Sequence, residues 1–418
     1  MSQRNRLDKG GRIDRSRPLR FSFNGASYEG FAGDTLASAL LANGIDVVNR
    51  SFKYSRPRGI VAAGAEEPNA IFQLGASEAA QVPNVRATQQ ALYGGLVASS
   101  TNGWPSVERD VMGAIGQVGG NFMPPGFYYK TFMAPASMWP KYEKYIRKAA
   151  GLGRVPKEKD PDIYDHINRH CDVLVIGAGP AGLAAALAAG RSGARVILCD
   201  EQEEMGGSLL DSREQIDGRE AVEWVAKCLK ELATMADVLL LPRTTANGYH
   251  DHNFVTLHER CTEHLADTAP SLNGRRRVRA RMHKVRAGQV ILATGTHERP
   301  LVYAHNDVPG NMVAGAISTY IRRYAVVPGR RLVLSTSNDY AYRAALDWHD
   351  AGREVVAIVD ARDNPGSDLV EAARKRKIRI ITGSAVIETR GKKRVSGALV
   401  AAIDLTGFRV RGAVTELA

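Results

Sequence analysis

The chain has 418 residues, 44% of them hydrophobic and 24% charged, a composition that fits a soluble, mostly globular protein of two or three domains. No run of eighteen apolar residues occurs, which excludes a membrane-spanning helix, and the basic N-terminus lacks the apolar core of a secretory signal, so a cytoplasmic location is expected. The formal net charge of +12 invites a nucleic-acid reading, but the basic clusters at 275–286 and 374–379 sit in no recognisable binding module. The first cluster reads as a solvated hairpin between strands. An acidic partner subunit accounts for the charge equally well, and nucleic acid is not an expected partner.

After a basic tail at 1–16, residues 19–31 read as a β-hairpin, because Asn24-Gly25 suits a two-residue turn between apolar strands. An amphipathic helix follows from Thr35 to Asn43, with Asp34 as its expected N-cap and Gly44 as its stop. This order resembles the β-grasp fold of ferredoxin-like domains, here assigned to 17–95. The loop 56–72 carries no cysteine where iron–sulfur members place theirs, so no iron–sulfur cluster is expected.

Residues 96–165 connect this domain to the next. The stretch 116–146 is dense in Gly, Pro, Met and aromatic residues and is expected to pack on a neighbouring domain or partner, and 157–161 reads as a solvated hinge. A dinucleotide-binding domain is then expected over 166–325. Its apolar strand at 173–176 stops at Gly177, Gly179 and Gly182, the G-x-G-x-x-G spacing. The first glycine permits a tight turn, the second lets backbone approach a pyrophosphate, and the third lets the helix pack close to the strand. Ala178, Pro180 and Ala181 complete the turn and open an alanine-rich helix whose N-terminal amides would face the phosphates.

A second strand, 195–199, ends in Asp200 and Glu201, about 20 residues past the glycines, where an acid accepts from a ribose hydroxyl and repels a 2′-phosphate. Asp200 is the first candidate for that contact and Glu201 the second, and NAD or FAD is favoured over NADP. Gly206, Gly207 and Ser208 follow the acid, and Thr245, Thr294 and Gly295 complete the residues assigned to the cofactor. The glycines and the acid serve NAD and FAD alike; NAD is taken first, with FAD as the alternative.

A further unit, 326–418, opens with a strand at 331–334, a helix near 341–350 and a strand at 354–359 ending in Asp360. Where glycines would stand it has Ser335-Thr336-Ser337-Asn338-Asp339-Tyr340, whose side chains would obstruct a pyrophosphate, so a degenerate, scaffolding unit is expected. Cys171, Cys199, Cys228 and Cys261 show no metal-ligand spacing and read as small buried side chains. No nucleophile elbow, zinc-binding helix motif, P-loop or redox cysteine pair is present, and no catalytic or metal residue is assigned.

The segments GAGPAGLAAA, DEQEEMGGSLL, RTTANGYHDHNFV, ILATGTHERPLVYAHNDVPGNM and STSNDYAYRAA together resemble the alpha subunit of heterotetrameric sarcosine oxidase, with related subunits in hydrogen cyanide synthase and in opine or proline dehydrogenases. The fold class expected is α/β: a Rossmann-like domain of the two-dinucleotide flavoprotein type, preceded by a β-grasp ferredoxin-like domain without cluster cysteines. The resemblance implies NAD on this chain, FMN at the interface with a beta subunit, and gamma and delta subunits as further partners. It also implies oxidation of sarcosine to glycine with tetrahydrofolate and oxygen, giving methylene-tetrahydrofolate and hydrogen peroxide. The family's C-terminal aminomethyltransferase-like folate domain would lie beyond residue 418, so an N-terminal portion, inactive alone, is expected. An opine- or proline-type dehydrogenase subunit and a nonenzymatic interaction piece are the alternatives.

Overall fold

The computed structural model describes residues 3–111, 113, 134–265, 277–404 and 409–418. Two compact units divide the chain, one made of 1–159 with 298–418 and the other of 160–297.

The first unit begins with β1 (Asp14–Phe23) and β2 (Ala26–Ala32), joined at Asn24 and Gly25, whose φ values of 51° and 80° give the turn a twist that suits an antiparallel pair. Helix α1 (Leu36–Ala42) is buried along its whole length. With β3 (Ile71–Leu74), β4 (Val82–Arg86) and β5 (Val97–Ser100) these strands form a mixed sheet in the order β2-β1-β5-β3-β4, in which only β1 and β5 run parallel. The N-cap of α1 is Thr35 rather than Asp34: Thr35 and Ser38 form a capping box. Asp34 is taken instead by Arg6 at 2.6 Å, the Ser38 hydroxyl at 2.6 Å and the Phe31 amide at 2.9 Å.

The loop leading into β3 is built around one carboxylate. Fully buried Glu67 accepts four backbone N–H bonds, from Val61 and Ala62 on Oε2 and from Asn69 and Ala70 on Oε1, all between 2.7 and 3.0 Å. Burial pushes its carboxyl above the usual range, against the opposing pull of those amides. Further along, the aromatic-rich expectation falls partly on 116–133, outside the described residues, and beyond it α2 (Trp139–Ala149) forms.

The second unit is an α/β sheet whose two helices share one core. The strands β6 (Ile163–Ile176), β7 (Val196–Cys199), β8 (Val238–Leu241), β9 (Thr244–His250), β10 (Phe254–Arg260) and β11 (Val278–Leu292) lie in the order β8-β7-β6-β11-β10-β9, with the first four parallel. Helices α3 (Pro180–Arg191) and α4 (Ala221–Ala233) connect the parallel strands and bury Leu183, Ala186, Leu187, Val225 and Leu232 in one core. Leu174, Ile176, Ile197, Val255 and Leu257 form a separate core. The basic segment near 275–286 is not a solvated hairpin: from Val278 on it is β11, paired with β6 from one end to the other. Its Arg279, Arg281 and Arg286 sit on a strand whose Ala280, His283 and Val285 are buried.

The remaining residues complete the first unit. Helix α5 (Ala314–Tyr324), placed by sequence with the dinucleotide segment, packs instead with the N-terminal sheet: the Val313 amide donates to Val61 O, and the Tyr320 hydroxyl donates to Ala62 O, both at 2.9 Å. Then β12 (Arg331–Thr336), α6 (Tyr342–Asp350), β13 (Glu354–Asp360), α7 (Asp368–Lys375) and β14 (Ile380–Ile381) form a small parallel sheet with its helices. An antiparallel sheet of β15 (Ser384–Gly391), β16 (Val395–Asp404) and β17 (Arg409–Leu417) follows. Among the described residues no helix is long and apolar enough to cross a membrane.

Replacing Glu67 with alanine leaves four buried amides without their acceptor, so Glu67→Ala is expected to lose at least about 3 kcal/mol of stability, whereas Glu67→Gln keeps one accepting oxygen and loses less. Urea unfolding of the two variants checks this order, and an unaltered midpoint for Glu67→Ala would contradict it.

Candidate functional site

Two of the three glycines in the turn after β6 are fixed by close neighbours. Gly177 has φ +100°, its amide donates to Cys199 O at 2.8 Å, and a Cβ there would strike Ala293 O while lying 3.2 Å from Thr294 Cα. A Cβ on Gly182 would collide with Gly177 O, so the helix can reach this close only without a side chain. Gly179 differs from both. Its φ of −73° suits any residue, and a Cβ there would meet nothing within 4 Å. Its lack of a side chain therefore leaves space beside the turn rather than relieving a clash.

Gly179 is also the N-cap of α3, and no side chain caps the helix. Pro180, at the first helical position, has no N–H, so the amides of Ala181 and Gly182 are the first donors of the helix and have no intrahelical acceptor. An open space at the positive end of a helix, with uncapped amides, is a site for an anionic group.

The acid at the end of β7 closes the turn. Asp200 Oδ2 accepts the Ala178 amide at 2.7 Å and Oδ1 accepts the Gln202 amide at 2.8 Å. Its backbone is fixed as well, the N–H donating to Leu241 O at 3.0 Å and the carbonyl accepting from Thr244 N–H at 2.7 Å. Thr245 follows on β9, half-buried and opposite His258. Glu201 is half-buried too, and its carbonyl oxygen accepts from Arg260 at 2.7 Å. Arg243 forms an ion pair with Glu203, so cations in this neighbourhood are matched by carboxylates.

Gly206 and Gly207 come back to the same place: a Cβ on Gly207 would lie 2.9 Å from Gly179 Cα. Ser208 is exposed on the 3₁₀ turn Gly207–Asp211. Thr294 and Gly295 are exposed just after β11. The structure thus gathers Gly177, Ala178, Gly179, Gly182, Asp200, Gly207 and Thr294 around one turn, while Glu201, Thr245 and Gly295 stand at neighbouring strand ends. Burial pushes the Cys171 thiol up to about 11 and the Cys199 thiol up to about 12, so neither is a nucleophile at neutral pH.

In the 298–418 part of the other unit, the turn after β12 has the opposite character. Thr336 Oγ1 accepts the Asn338 amide at 3.0 Å and donates to Asn338 O at 2.9 Å. Asp360, at the end of β13, is fully buried and bound by the Tyr342 hydroxyl and by Arg362, both at 2.8 Å. Its burial raises the carboxyl, but the hydrogen bonds from Arg362 and Tyr342 outweigh that and hold it below the usual range. A cavity of about 700 Å³ lies elsewhere in this unit, and arginines far apart in sequence line it. Their spacing carries no signal that sequence reasoning could have used.

Residues 171–410 match the family described as pyridine nucleotide-disulphide oxidoreductase, and residues 16–103 match a 2Fe-2S iron-sulfur cluster binding domain. The chain is 49% identical over 392 residues to the sarcosine oxidase subunit alpha of Rhizobium meliloti (strain 1021), covering 94% of this chain and 38% of that subunit. It is 40% identical over 393 residues to the sarcosine oxidase subunit alpha of Corynebacterium sp. (strain P-1), covering 94% and 35%. The chain therefore spans little more than a third of the length of these relatives. Among solved structures, L-proline dehydrogenase from P. horikoshii is 16% identical with a TM-score of 0.58, over 99% of this chain and 60% of that one, a likeness of fold alone.

The match at 16–103 overturns two expectations drawn from the cysteine-free loop, a ferredoxin-like domain set apart from cluster binding and a chain with no iron–sulfur cluster. The side chains of that segment are a separate question. It contains no cysteine, the chain's four standing at 171, 199, 228 and 261, so it does not itself supply the thiolates that hold such a cluster.

The two kinds of glycine separate in a stability measurement. Gly182→Ala is expected to cost about 2 kcal/mol or more through its clash with Gly177 O, and Gly179→Ala less than about 1 kcal/mol, the difference between glycine and alanine at an N-cap. Equal losses in urea unfolding would contradict the geometry.

Proposed function

Because the chain belongs to the pyridine nucleotide-disulphide oxidoreductase family, we propose that its site at Gly177–Gly182 binds a dinucleotide, NAD in preference and FAD as the alternative, within an oxidoreductase subunit of the sarcosine oxidase alpha type. The observation that carries this reading is the open space beside Gly179 at the uncapped start of α3. The residues present fit a pyrophosphate: amides of Ala181 and Gly182 to donate, and no side chain in the way. A nicotinamide dinucleotide supplies hydride transfer when bound.

The chain's own residues bind and orient. Asp200 is held at the strand end by two amides, with its carboxylate beside the turn, where it would accept from a ribose hydroxyl and disfavour a 2′-phosphate. Since both its oxygens already accept backbone donors, Asp200 serves as a binding group rather than a base. Bond-breaking residues are therefore placed, in this reading, on a partner.

For the whole assembly we propose oxidation of sarcosine to glycine with tetrahydrofolate and oxygen, giving methylene-tetrahydrofolate and hydrogen peroxide, in the cytoplasm and together with beta, gamma and delta subunits. The similarity to sarcosine oxidase alpha subunits supports this proposal.

Calorimetric titration of the full chain with NAD tests the binding reading. One NAD per chain is expected, with binding lost in Gly179→Val and weakened by about 1 to 3 kcal/mol in Asp200→Asn. Undiminished affinity in a folded Gly179→Val chain would sink the assignment. A second assay follows peroxide on adding sarcosine: turnover is expected only once a beta-type subunit is present, and turnover by the chain alone would overturn the placing of the chemistry on a partner.

A further inference from the structure

The cavity of about 700 Å³ in the first unit has a charge that its own residues do not neutralise. Arg4, Arg299, Arg330, Arg331, Arg353 and Arg394 line it, against two side-chain carboxylates, Asp46 and Glu298. Both carboxylates are committed. Asp46 pairs with Arg394 and, at 3.4 Å, with Arg4. Glu298 accepts the amides of Ala314 at 3.0 Å and Gly315 at 2.6 Å, capping α5.

Of the remaining four arginines, Arg331 donates to the backbone oxygen of Ala418 at 2.8 Å. The side chains of Arg299, Arg330 and Arg353 have no hydrogen bond or ion pair among the described residues. Arg353 is half-buried, and its Nε is buried without any acceptor. Exposed Arg299 and Arg330, lining one cavity without a carboxylate partner among the described residues, leave it positively charged and would attract an anion.

We propose that this cavity is a second ligand site, distinct from the Gly177–Gly182 turn, and that it takes a small organic anion bearing phosphate groups. Guanidinium groups bind phosphate oxygens through paired, directional hydrogen bonds, which suits several arginines better than a single point charge would. The lining is also partly apolar, with Val333, Trp348 and Val356 along it, so the ligand carries a ring or hydrocarbon portion as well as its charge. The volume falls within the range of small-molecule pockets, roughly 300 to 1,000 Å³, and is too small for a folded acidic domain.

The test uses inorganic pyrophosphate as probe, titrated calorimetrically into the full chain saturated with NAD, and separately into the Gly179→Val chain. One saturable pyrophosphate site per chain is expected in both, with affinity falling as salt rises. Arg353→Met should weaken it about tenfold or more, the loss of one charge-assisted hydrogen bond. The double variant Arg299→Gln, Arg330→Gln changes two exposed side chains and keeps the test valid if Arg353→Met fails to fold; a similar loss is expected. Absence of saturable binding would overturn the proposal, as would binding unchanged by the arginine variants. Binding lost in Gly179→Val but kept in the arginine variants would place the anion on the glycine turn instead, and would overturn it too.

Discussion

The geometry of the glycine turn depends on the Asp200 carboxylate, which ties the end of β7 to the turn after β6 by accepting the Ala178 and Gln202 amides. A turn that must expose its helix amides to a ligand cannot also satisfy all its own backbone donors. Asp200 takes the Ala178 donor on the inner side of the turn, which leaves the helix start facing outward. Gly182 then lets α3 sit against the strand, and Gly207 comes up to Gly179 from the other side. Sheet order follows from the same arrangement, since β6 must lie between β7 and β11 for Cys199 and Ile176 to exchange hydrogen bonds with the turn and with Ala293.

The second parallel sheet makes a useful contrast within one chain. It too has a strand, a turn, a helix and a strand ending in an acid. There the acid, Asp360, is enclosed by Tyr342 and Arg362, and the turn is folded on itself through Thr336 and Asn338. The same topology there has its turn bonded to itself and its acid enclosed. Around Gly177–Gly182, with its helix start left uncapped, it is a candidate site. Glu67 applies the carboxylate-and-amide device a third time, holding the loop before β3 closed around itself.

The glycine turn was legible in the sequence because local stereochemistry admits little else at Gly177 and Gly182, and the hairpin at Asn24-Gly25 was legible for a similar reason. Other features were not. The apolar run at 173–176 marks only the buried end of β6, and residues 164–170 before it alternate exposed and partly buried side chains, so they carried no continuous apolar signal. Asp34 and Thr35 are both good N-cap residues, and what separates them is Arg6, far away in sequence, which captures Asp34. The likeness of 16–103 to cluster-binding domains could not be read from cysteines, because the segment has none. The arginine cavity draws on residues from position 4 to position 394, and no local pattern joins them.

Hydrogen exchange of the full chain with and without NAD reads the central claim directly, because amides facing a bound pyrophosphate exchange more slowly. Slowed exchange is predicted at 179–183 and 206–208, with no change at 335–341, where the second turn is closed on itself. Protection confined to 335–341, or no protection at the glycine turn under saturating NAD, would contradict the account.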